Sequence, residues 1–410
     1  MAQDFYRIKR LPPYVFAEVN AMKADARAAG EDIIDFGMGN PDSATPAHVV
    51  EKLIEAVKDP RTHRYSNSRG IPGLRRAIAN YYDRRFGVGL DFETETIVTL
   101  GSKEGFANLA MAISAPGDVV VVPNPSYPIH AYGFIIAGAS LRHVPVGPGV
   151  DFMAELDRAV RYSVPAPIAV VLNFPANPTA QVVDLAFYEE VVDYCRRAGV
   201  YVISDLAYAE IYFGEPPPSI LSVKGARDIA VEFTSLSKTY SMPGWRIGFA
   251  AGNKDMIAAL ARLKSYLDYG AFTPVQVAAT AALNGPQDCV DEFRDVYRRR
   301  RDVLVDSFAA AGWDVPNPAA TLFAWAPLPP ALADLGSVEF SKLLLKEANV
   351  AVSPGLGFGE YGEGYVRLAL VENRHRIRQA ARNIKKFLAS HGVNSAAPRP
   401  KGAASKVGAS

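Results

Sequence analysis

The sequence predicts an α/β protein with a large domain built around a mostly parallel β-sheet, plus a smaller α+β domain. From about residue 46 to about residue 285, short apolar runs alternate with helical periodicity, which is typical of parallel strands joined by crossover helices. From about residue 286, a long charged helical segment is followed by two strand-like runs and a final helix. With 410 residues, of which 49% are hydrophobic, the chain can bury the cores of two or three domains.

The predicted elements follow one another in a regular order. An N-terminal arm leads to a short strand at 33–36 and a glycine-rich turn at 37–41. The expected strands are, for the large sheet, 97–100, 118–122, 168–173, 200–204, 229–235 and 247–252, and for the smaller domain 322–325 and 365–370. The expected units are an arm with a small-domain strand (1–45), the large domain (46–285), the small domain (286–391) and a disordered tail (392–410).

Charge and composition argue against several classes of protein. The chain carries 44 Lys and Arg against 43 Asp and Glu, without a long run of one sign, so no nucleic-acid partner is expected. The N-terminus lacks the apolar core of a signal peptide and the apolar runs are strand-sized, which predicts a cytoplasmic protein with no membrane partner. Cys195 and Cys289 lie far apart, and the six histidines lack metal-ligand spacing, so neither a disulfide nor a metal is expected.

Polar segments follow three of the predicted strands, and ligands bind at the carboxyl ends of parallel strands. The segment 101–105 leads into a helix and offers backbone N–H groups and a hydroxyl, as a phosphate site would. Asp205 follows another strand, with Tyr208 three residues on, and Asn177 lies in a proline-rich loop after a third. Each segment also fits an ordinary helix cap or loop, so none identifies a site by itself.

The strongest signal is an apolar strand followed by Ser235, Ser237, Lys238 and, eight residues later, Arg246. A lysine removed from water loses its proton more easily, as a lysine that forms a Schiff base requires. The serine hydroxyls and the guanidinium can bind a phosphate monoester. The alternative is a surface lysine in a loop, and the several polar segments at neighbouring strand ends argue against it.

The block SLSKTYSMPGWRIG at 235–248 resembles the pyridoxal-phosphate (PLP) enzymes of fold type I, and specifically the class I/II aminotransferases. The resemblance extends over nearly all of residues 5–390 and is greatest to bacterial glutamate-pyruvate (alanine) aminotransferases. It implies a three-layer large domain and a PLP cofactor bound to Lys238 as a Schiff base. It also implies that Asp205 pairs with the pyridine nitrogen.

The same resemblance assigns the other residues around the cofactor. Tyr208 and Asn177 match the groups that hydrogen-bond the phenolic oxygen, and Tyr127 matches the aromatic residue that stacks on the ring. The phosphate is expected to contact Ser102, Lys103, Ser235, Ser237 and Arg246.

The resemblance also implies the substrate-binding residues and a partner. Arg367 matches the arginine that binds the substrate α-carboxylate, with Gly39 allowing close backbone approach and Asn177 nearby. Without the resemblance, Arg367 would be interpreted as a surface residue of an edge strand. Tyr65 matches a tyrosine that reaches the phosphate of a neighbouring subunit, which implies a homodimer with shared active sites.

Two features depart from the family pattern. Ala180 stands where the family commonly has glycine, and because alanine tolerates a positive φ less well, the turn after Asn177 is expected to differ slightly. No second arginine can be assigned to the distal carboxylate of glutamate. The segment 264–273, Arg69, Tyr14 and Phe16 are the places to search for that group.

The implied activity is a ping-pong transfer of an amino group between a small amino acid, with alanine favoured, and 2-oxoglutarate or pyruvate. Lys238 would act as the general base. Aspartate, diaminopimelate, aromatic and methionine-type substrates are alternatives, as is a PLP-dependent carbon-sulfur β-lyase, because the cofactor residues are shared across these reactions. A PLP-binding transcription regulator would need a DNA-binding domain before the first strand, for which the sequence offers no room.

Overall fold

The computed structural model describes residues 5–12 and 15–393. It confirms the α/β class. Most of the predicted tail, residues 394–410, and Tyr14 lie outside the described residues. Within the described part of the chain, no helix combines the length and the apolar character needed to cross a membrane. The domain bounds and the cytoplasmic location stay predictions.

The secondary structure consists of alternating strands and helices. The strands are β1 (Ile34–Asp35), β2 (Thr96–Thr99), β3 (Val119–Asn124), β4 (Ser140–Pro145), β5 (Pro167–Leu172), β6 (Tyr201–Asp205), β7 (Ala230–Ser235), β8 (Gly248–Gly252), β9 (Phe323–Pro327), β10 (Val350–Ala351), β11 (Ser353–Pro354) and β12 (Tyr365–Ala369). The helices are α1 (Tyr6–Lys9), α2 (Phe16–Ala28), α3 (Ala47–Val57), α4 (Pro72–Phe86), α5 (Ser102–Ile113), α6 (Pro128–Ala137), α7 (Phe152–Arg161), α8 (Leu185–Ala198), α9 (Leu236–Thr239), α10 (Lys254–Leu267), α11 (Thr273–Asn284), α12 (Asp288–Ala311), α13 (Gly336–Ala348) and α14 (Arg374–Ser390).

The large sheet has seven strands in the order β2-β8-β7-β6-β5-β3-β4. Only β8 runs antiparallel to its neighbours, so the carboxyl ends of the other strands meet at one edge. Side chains alternate between two apolar cores on the two faces: Val121 packs into one core, and Val120 and Val122 pack into the other. This double burial explains why the strands are continuous apolar runs.

One strand of the large sheet was missed by the sequence analysis. β4 lies at the edge of the sheet, pairs only with β3, and has the sequence SLRHVP, in which most side chains are exposed or half-buried. An edge strand with one neighbour does not need a continuous apolar run, so its pattern resembles that of a loop.

The C-terminal part of the chain forms a separate apolar core around a small antiparallel sheet of order β11-β12-β9. The N-terminal strand β1 pairs in parallel with β10, which places the start of the chain beside its C-terminal third. The glycine-rich turn that follows β1 then crosses toward the carboxyl edge of the large sheet, where its Gly39 contacts Lys238.

Candidate active site

A cavity of about 340 Å³ opens at the carboxyl edge of the large sheet, between that sheet, the small antiparallel sheet and helix α2. Its size suits a small-molecule site. The predicted residues that line it are Gly39, Ser102, Lys103, Tyr127, Asn177, Asp205, Tyr208, Ser235, Ser237, Lys238, Arg246 and Arg367. The structure therefore brings together every predicted site residue except Tyr65.

Lys238 lies in the short helix α9, which follows β7 directly and faces the cavity. Ser235 ends the strand and caps the helix, with its Oγ accepting a hydrogen bond from the Ser237 N–H at 3.2 Å. The Lys238 ammonium donates to the Gly39 carbonyl at 2.9 Å. Burial, followed by the nearby charges of Arg367 and Arg246, lowers the pKa of Lys238 to about 8. About a tenth of this amine is thus neutral, and nucleophilic, at pH 7, far more than for an exposed lysine.

Asp205 lies at the carboxyl end of β6, almost fully buried, and its partner is a residue that the sequence analysis missed. One carboxylate oxygen is 2.9 Å from Nε2 of the fully buried His130, and the other accepts from the Ala207 N–H at 3.1 Å. His130 Nδ1 has no hydrogen-bond partner among the described residues. The position of His130 one helical turn after Tyr127 in α6 is the signal that could have pointed to it.

Two tyrosines flank this carboxylate region. The Tyr208 ring is buried against Phe323 at 5.7 Å, and burial raises the pKa of its phenol, so the hydroxyl stays protonated and can donate. Tyr127 is half-buried at the start of α6, and the Lys103 ammonium lies 5.8 Å from its ring centroid. Both rings face the cavity that holds Lys238.

Arg367 is not a surface residue of an edge strand, as its sequence pattern alone would suggest. Its strand β12 is the middle strand of the small sheet, and the residue is 8% exposed. The guanidinium lies 4.0 Å from the ring centroid of Phe323 and 4.7 Å from that of Phe358. It donates to Asn177 Oδ1 at 2.8 Å and to the Gly37 carbonyl at 3.1 Å. An arginine oriented in this way can present its planar fork to a carboxylate.

The loop that carries Asn177 is held to the large sheet by Asn173. The Asn173 side chain donates to the Asp205 carbonyl at 2.8 Å and accepts from the Asn177 N–H at 2.9 Å. Ala180 in the same loop adopts φ 57°, the left-handed conformation that the family's glycine adopts freely. The alanine therefore keeps the turn at a conformational cost.

The opposite end of the cavity combines a helix start with a cation. Ser102 begins helix α5, and its Oγ is buried without a hydrogen-bond partner among the described residues. Arg246 lies beside it, donating to the Pro243 carbonyl at 2.8 Å. Gly101 has φ 81°, and a Cβ there would overlap the Arg246 guanidinium, so only glycine fits. A free hydroxyl, helix N–H groups and a guanidinium form a suitable phosphate site.

Gly39 is close-packed for a different reason. A Cβ at this position would overlap the ring of Phe323, which also stacks on Arg367. The close backbone approach expected of Gly39 is thus needed for packing against an aromatic residue that the sequence did not single out.

Tyr65 lies outside the cavity. Its side chain is 85% exposed and its ring contacts that of Tyr269 at a centroid distance of 4.7 Å. Within this chain it reaches none of the other predicted site residues.

The residues present fit PLP. The cavity offers a partly neutral lysine for the aldehyde, an unpartnered hydroxyl beside Arg246 for the phosphate, and a buried carboxylate, Asp205, for the ring nitrogen. Among the described residues, no group of three or more His, Cys, Asp and Glu side chains could hold a metal ion.

Comparison with known proteins identifies the family. The model of "Aminotransferase class I and II" matches residues 31–384. The chain is 64% identical to a putative aminotransferase, AatC, of Rhizobium meliloti, covering 95% of this chain and 96% of that protein. It is 58% identical to the glutamate-pyruvate aminotransferase AlaC of Escherichia coli, covering 95% of each. An LL-diaminopimelate aminotransferase of Desulforudis audaxviator is 45% identical, over 92% of this chain and 96% of that protein.

Solved structures agree with the sequence relatives. A Thermus thermophilus aspartate aminotransferase mutant superposes with a TM-score of 0.88 at 30% identity, over 95% of this chain and all of that one (100%). BacF of Bacillus subtilis with bound substrate gives a TM-score of 0.87 at 32% identity, over 94% of this chain and 98% of that one. The chain therefore belongs to the class I and II aminotransferases and is a PLP-dependent transaminase of fold type I.

Proposed function

We propose that this aminotransferase exchanges amino groups between L-alanine and 2-oxoglutarate. The observation that carries the proposal is the placement of Lys238, Asp205 and Arg367 around one cavity, in a chain 58% identical to a glutamate-pyruvate aminotransferase. Arg367 can bind the α-carboxylate that both substrates share, and Lys238 can act at the adjacent α-carbon. The apolar walls contributed by Phe16, Val19 and Phe358 suit a small side chain.

Each residue of the site has a distinct role in this proposal. Bound PLP supplies an aldehyde for the amine and a ring that accepts the electron pair of the cleaved bond. The Lys238 amine, free of the cofactor once substrate is bound, would accept the α-proton of the substrate and later donate it back, and its pKa of about 8 suits both transfers. Asp205, held by His130, favours the protonated ring nitrogen. Tyr208 and Asn177 donate to the phenolic oxygen.

The remaining residues orient the ligands. The phosphate is assigned to Ser102, Lys103, Ser235, Ser237 and Arg246, which line the cavity beside Lys238. Tyr127 is assigned to one face of the pyridine ring. Arg367, with Asn177 and Gly39 around it, is assigned to the substrate carboxylate. The stacking of Arg367 between Phe323 and Phe358 fixes the plane of its fork before a substrate arrives.

A homodimer completes the proposal. Five large apolar side chains are exposed in one region formed by residues 65 and 266–272, a composition typical of an interface. They are Tyr65, Tyr266, Leu267, Tyr269 and Phe272. Because Tyr65 reaches none of the other predicted site residues in its own chain, a second copy is the partner whose phosphate site its hydroxyl would complete.

The test is a half-reaction followed by the absorption of the bound cofactor. L-Alanine alone should convert the band of the aldehyde form to that of the amine form, with release of pyruvate, and 2-oxoglutarate should restore the first band. A cofactor band that alanine leaves unchanged would refute alanine as the donor and keep the family assignment.

A second candidate donor is LL-diaminopimelate, favoured by the 45% identity to an aminotransferase of that specificity. Running the same half-reaction with LL-diaminopimelate separates the two. A β-lyase would release pyruvate and ammonia from cystathionine without any amino acceptor, and we expect no such release.

A further inference from the structure

The segment 35–42, here called the glycine strap, is fixed at both ends by buried or partly buried ion pairs. At its start, Asp35 Oδ2 lies 2.9 Å from the Lys23 ammonium and 3.1 Å from the Arg27 guanidinium. At its end, the Asp42 carboxylate accepts hydrogen bonds from Nη1 and Nη2 of Arg300, each at 2.7 Å. The strap thus spans the mouth of the cavity between two anchored carboxylates.

The middle of the strap binds two cations of the active site through backbone carbonyls. The Gly37 carbonyl accepts from Arg367 Nη2 at 3.1 Å and from Ser353 Oγ at 2.8 Å. The Gly39 carbonyl accepts from Lys238 Nζ at 2.9 Å. The strap therefore contacts the guanidinium through Gly37 and the amine through Gly39, and the Gly37 carbonyl bears directly on the orientation of Arg367.

Asp35 connects helix α2 to this arrangement through one carboxylate. Its Oδ1 accepts from the Gly37 N–H at 3.0 Å, while its Oδ2 binds Lys23. The side chains of Lys23 and Asp35 are only 10% and 14% exposed, so their attraction is weakly screened. The carboxylate of Asp35 thus connects Lys23 to Gly37, the residue whose carbonyl accepts from Arg367.

The same helix contacts the cavity directly. Phe16, Val19, Asn20 and Lys23 lie on one face of α2 at helical spacing and line the cavity. The Phe16 ring packs edge-on against Phe358 at 5.3 Å, and Phe358 in turn stacks on Arg367. Helix α2 therefore reaches Arg367 through its ring contacts as well as through the strap.

We propose that Lys23 and Asp35 are positioning residues that set the orientation of Arg367, and hence the affinity of the enzyme for the α-carboxylate of every substrate. This inference rests on the proposed role of Arg367. The chain contains a matched control: Glu18, also on α2, pairs with Lys342 of α13 at 2.8 Å, but Glu18 is 64% exposed and, among the described residues, makes no hydrogen bond to the strap. The Lys23 pair joins α2 to β1, and the Glu18 pair joins α2 to α13.

The experiment compares the variants K23M, K23R, D35N, K23M/D35N and E18Q in the PLP-loaded enzyme. In D35N the amide oxygen can still accept from the Gly37 N–H, while the charge and the acceptor that faces Lys23 and Arg27 are lost. We expect K23M and D35N to raise KM for alanine and for 2-oxoglutarate together, each by about tenfold, or about 1.4 kcal/mol of binding free energy. We expect kcat to change by less than about twofold, because uniform binding is lost.

The remaining variants show whether the effect belongs to this pair. K23M/D35N should raise KM no further than D35N alone, because D35N already removes the ion pair with Lys23 together with the pair with Arg27. K23R keeps the charge and should restore the wild-type KM, and E18Q should leave it unchanged. Calorimetric titration with propionate, which has a carboxylate but no amine, should show the same order of affinities without any turnover.

Two outcomes would overturn the inference: K23M and D35N with wild-type KM and propionate affinity, or E18Q with the same increase as K23M. If the single variants do not fold, the double variant, which leaves neither Lys23 nor Asp35 with an unpaired charge, decides between these outcomes. The variant R367K separates this inference from the proposed function. If R367K keeps its affinity for propionate, the role of Arg367 fails; if only R367K loses it, the positioning role of Lys23 and Asp35 fails.

Discussion

The two ends of the cavity are built in different ways. At the cofactor end, Asp205 and Lys238 stand directly after adjacent parallel strands, on backbone that is buried on both faces. At the carboxylate end, Arg367 lies on a short antiparallel sheet and is held by Gly37 and Asn177, which are far away in sequence. The residues of the first end lie at the carboxyl ends of neighbouring strands, whereas the second end depends mainly on contacts that join distant segments. Changes at the two ends should therefore affect different kinetic constants.

The largest effect is expected from K238A at the cofactor end. Without this amine no side chain is positioned to move the α-proton, so kcat should fall by at least about a thousandfold, while the variant still folds. Steady-state assays with alanine and 2-oxoglutarate give the measurement, and K254A, which removes an exposed lysine, serves as the control. Turnover within tenfold of wild type would contradict the role of Lys238.

R367K tests the carboxylate end. Lysine keeps the charge but cannot donate to Asn177 and the Gly37 carbonyl and also bind a carboxylate through two N–H groups. We therefore expect KM for alanine to rise about a hundredfold, with a smaller change in kcat. Alaninamide, which lacks the carboxylate, provides the comparison. The preference of the enzyme for alanine over alaninamide should shrink in R367K, and an unchanged preference would show that the carboxylate binds elsewhere.

The large sheet beneath the cofactor end should show a pH-dependent stability of its own. Burial raises the pKa of Glu232 in β7 from 4.5 to about 7, although hydrogen bonds from Ser219 and Ser204 oppose the shift. Because the folded protein holds this proton more tightly than the unfolded chain does, the free energy of unfolding should fall as the pH rises from about 4.5 to about 7. The loss should be about 3 kcal/mol and should level off above that range.

Urea denaturation across this pH range checks the expectation. E232Q, an uncharged group of the same shape, should remove this contribution to the fall in stability, and E190Q, at an exposed position, should leave it in place. KM should not change in either variant. The expected direction would be contradicted if, between these pH values, the free energy of unfolding of the wild type rose relative to that of E232Q.

The smallest effect is expected in the loop that joins the two ends. Ala180 is held at φ 57°, so A180G should relieve backbone strain and raise the free energy of unfolding by at most about 1 kcal/mol, partly offset by the greater freedom of glycine in the unfolded chain. Urea denaturation measures this. A loss of stability in A180G would show that the alanine methyl contributes more by packing than the turn costs.

The contrast between the two ends also explains what the sequence could predict. Asp205 and Lys238 follow apolar runs that can only be strands of a buried sheet, so their location at one edge follows from topology. β4 was missed because an edge strand is not apolar throughout. His130 was missed because a buried histidine inside an apolar helix looks like a core residue until its carboxylate partner is located in space.

Arg367 shows the limit most clearly. Its burial depends on Phe323 and Phe358, and its hydrogen bonds on residues up to 330 positions away, none of which the local pattern of β12 reveals. Only the family resemblance placed it in the site. Lys23 and Asp35 were not singled out, because an ion pair between a helix and a strand cannot be distinguished in sequence from two solvated charges.

The single reversed strand of the large sheet has a consequence for folding order. Because β8 starts where the connection from β7 ends, the chain returns to the cavity only eight residues after Lys238, at Arg246. Lys238 and Arg246 are thus only eight residues apart, whereas the hydrogen bond from Arg367 to Gly37 closes a loop of more than three hundred residues. Short loops close at lower entropic cost. We therefore expect a refolding chain to bring Lys238 and Arg246 to the cavity together, before Arg367 reaches Gly37.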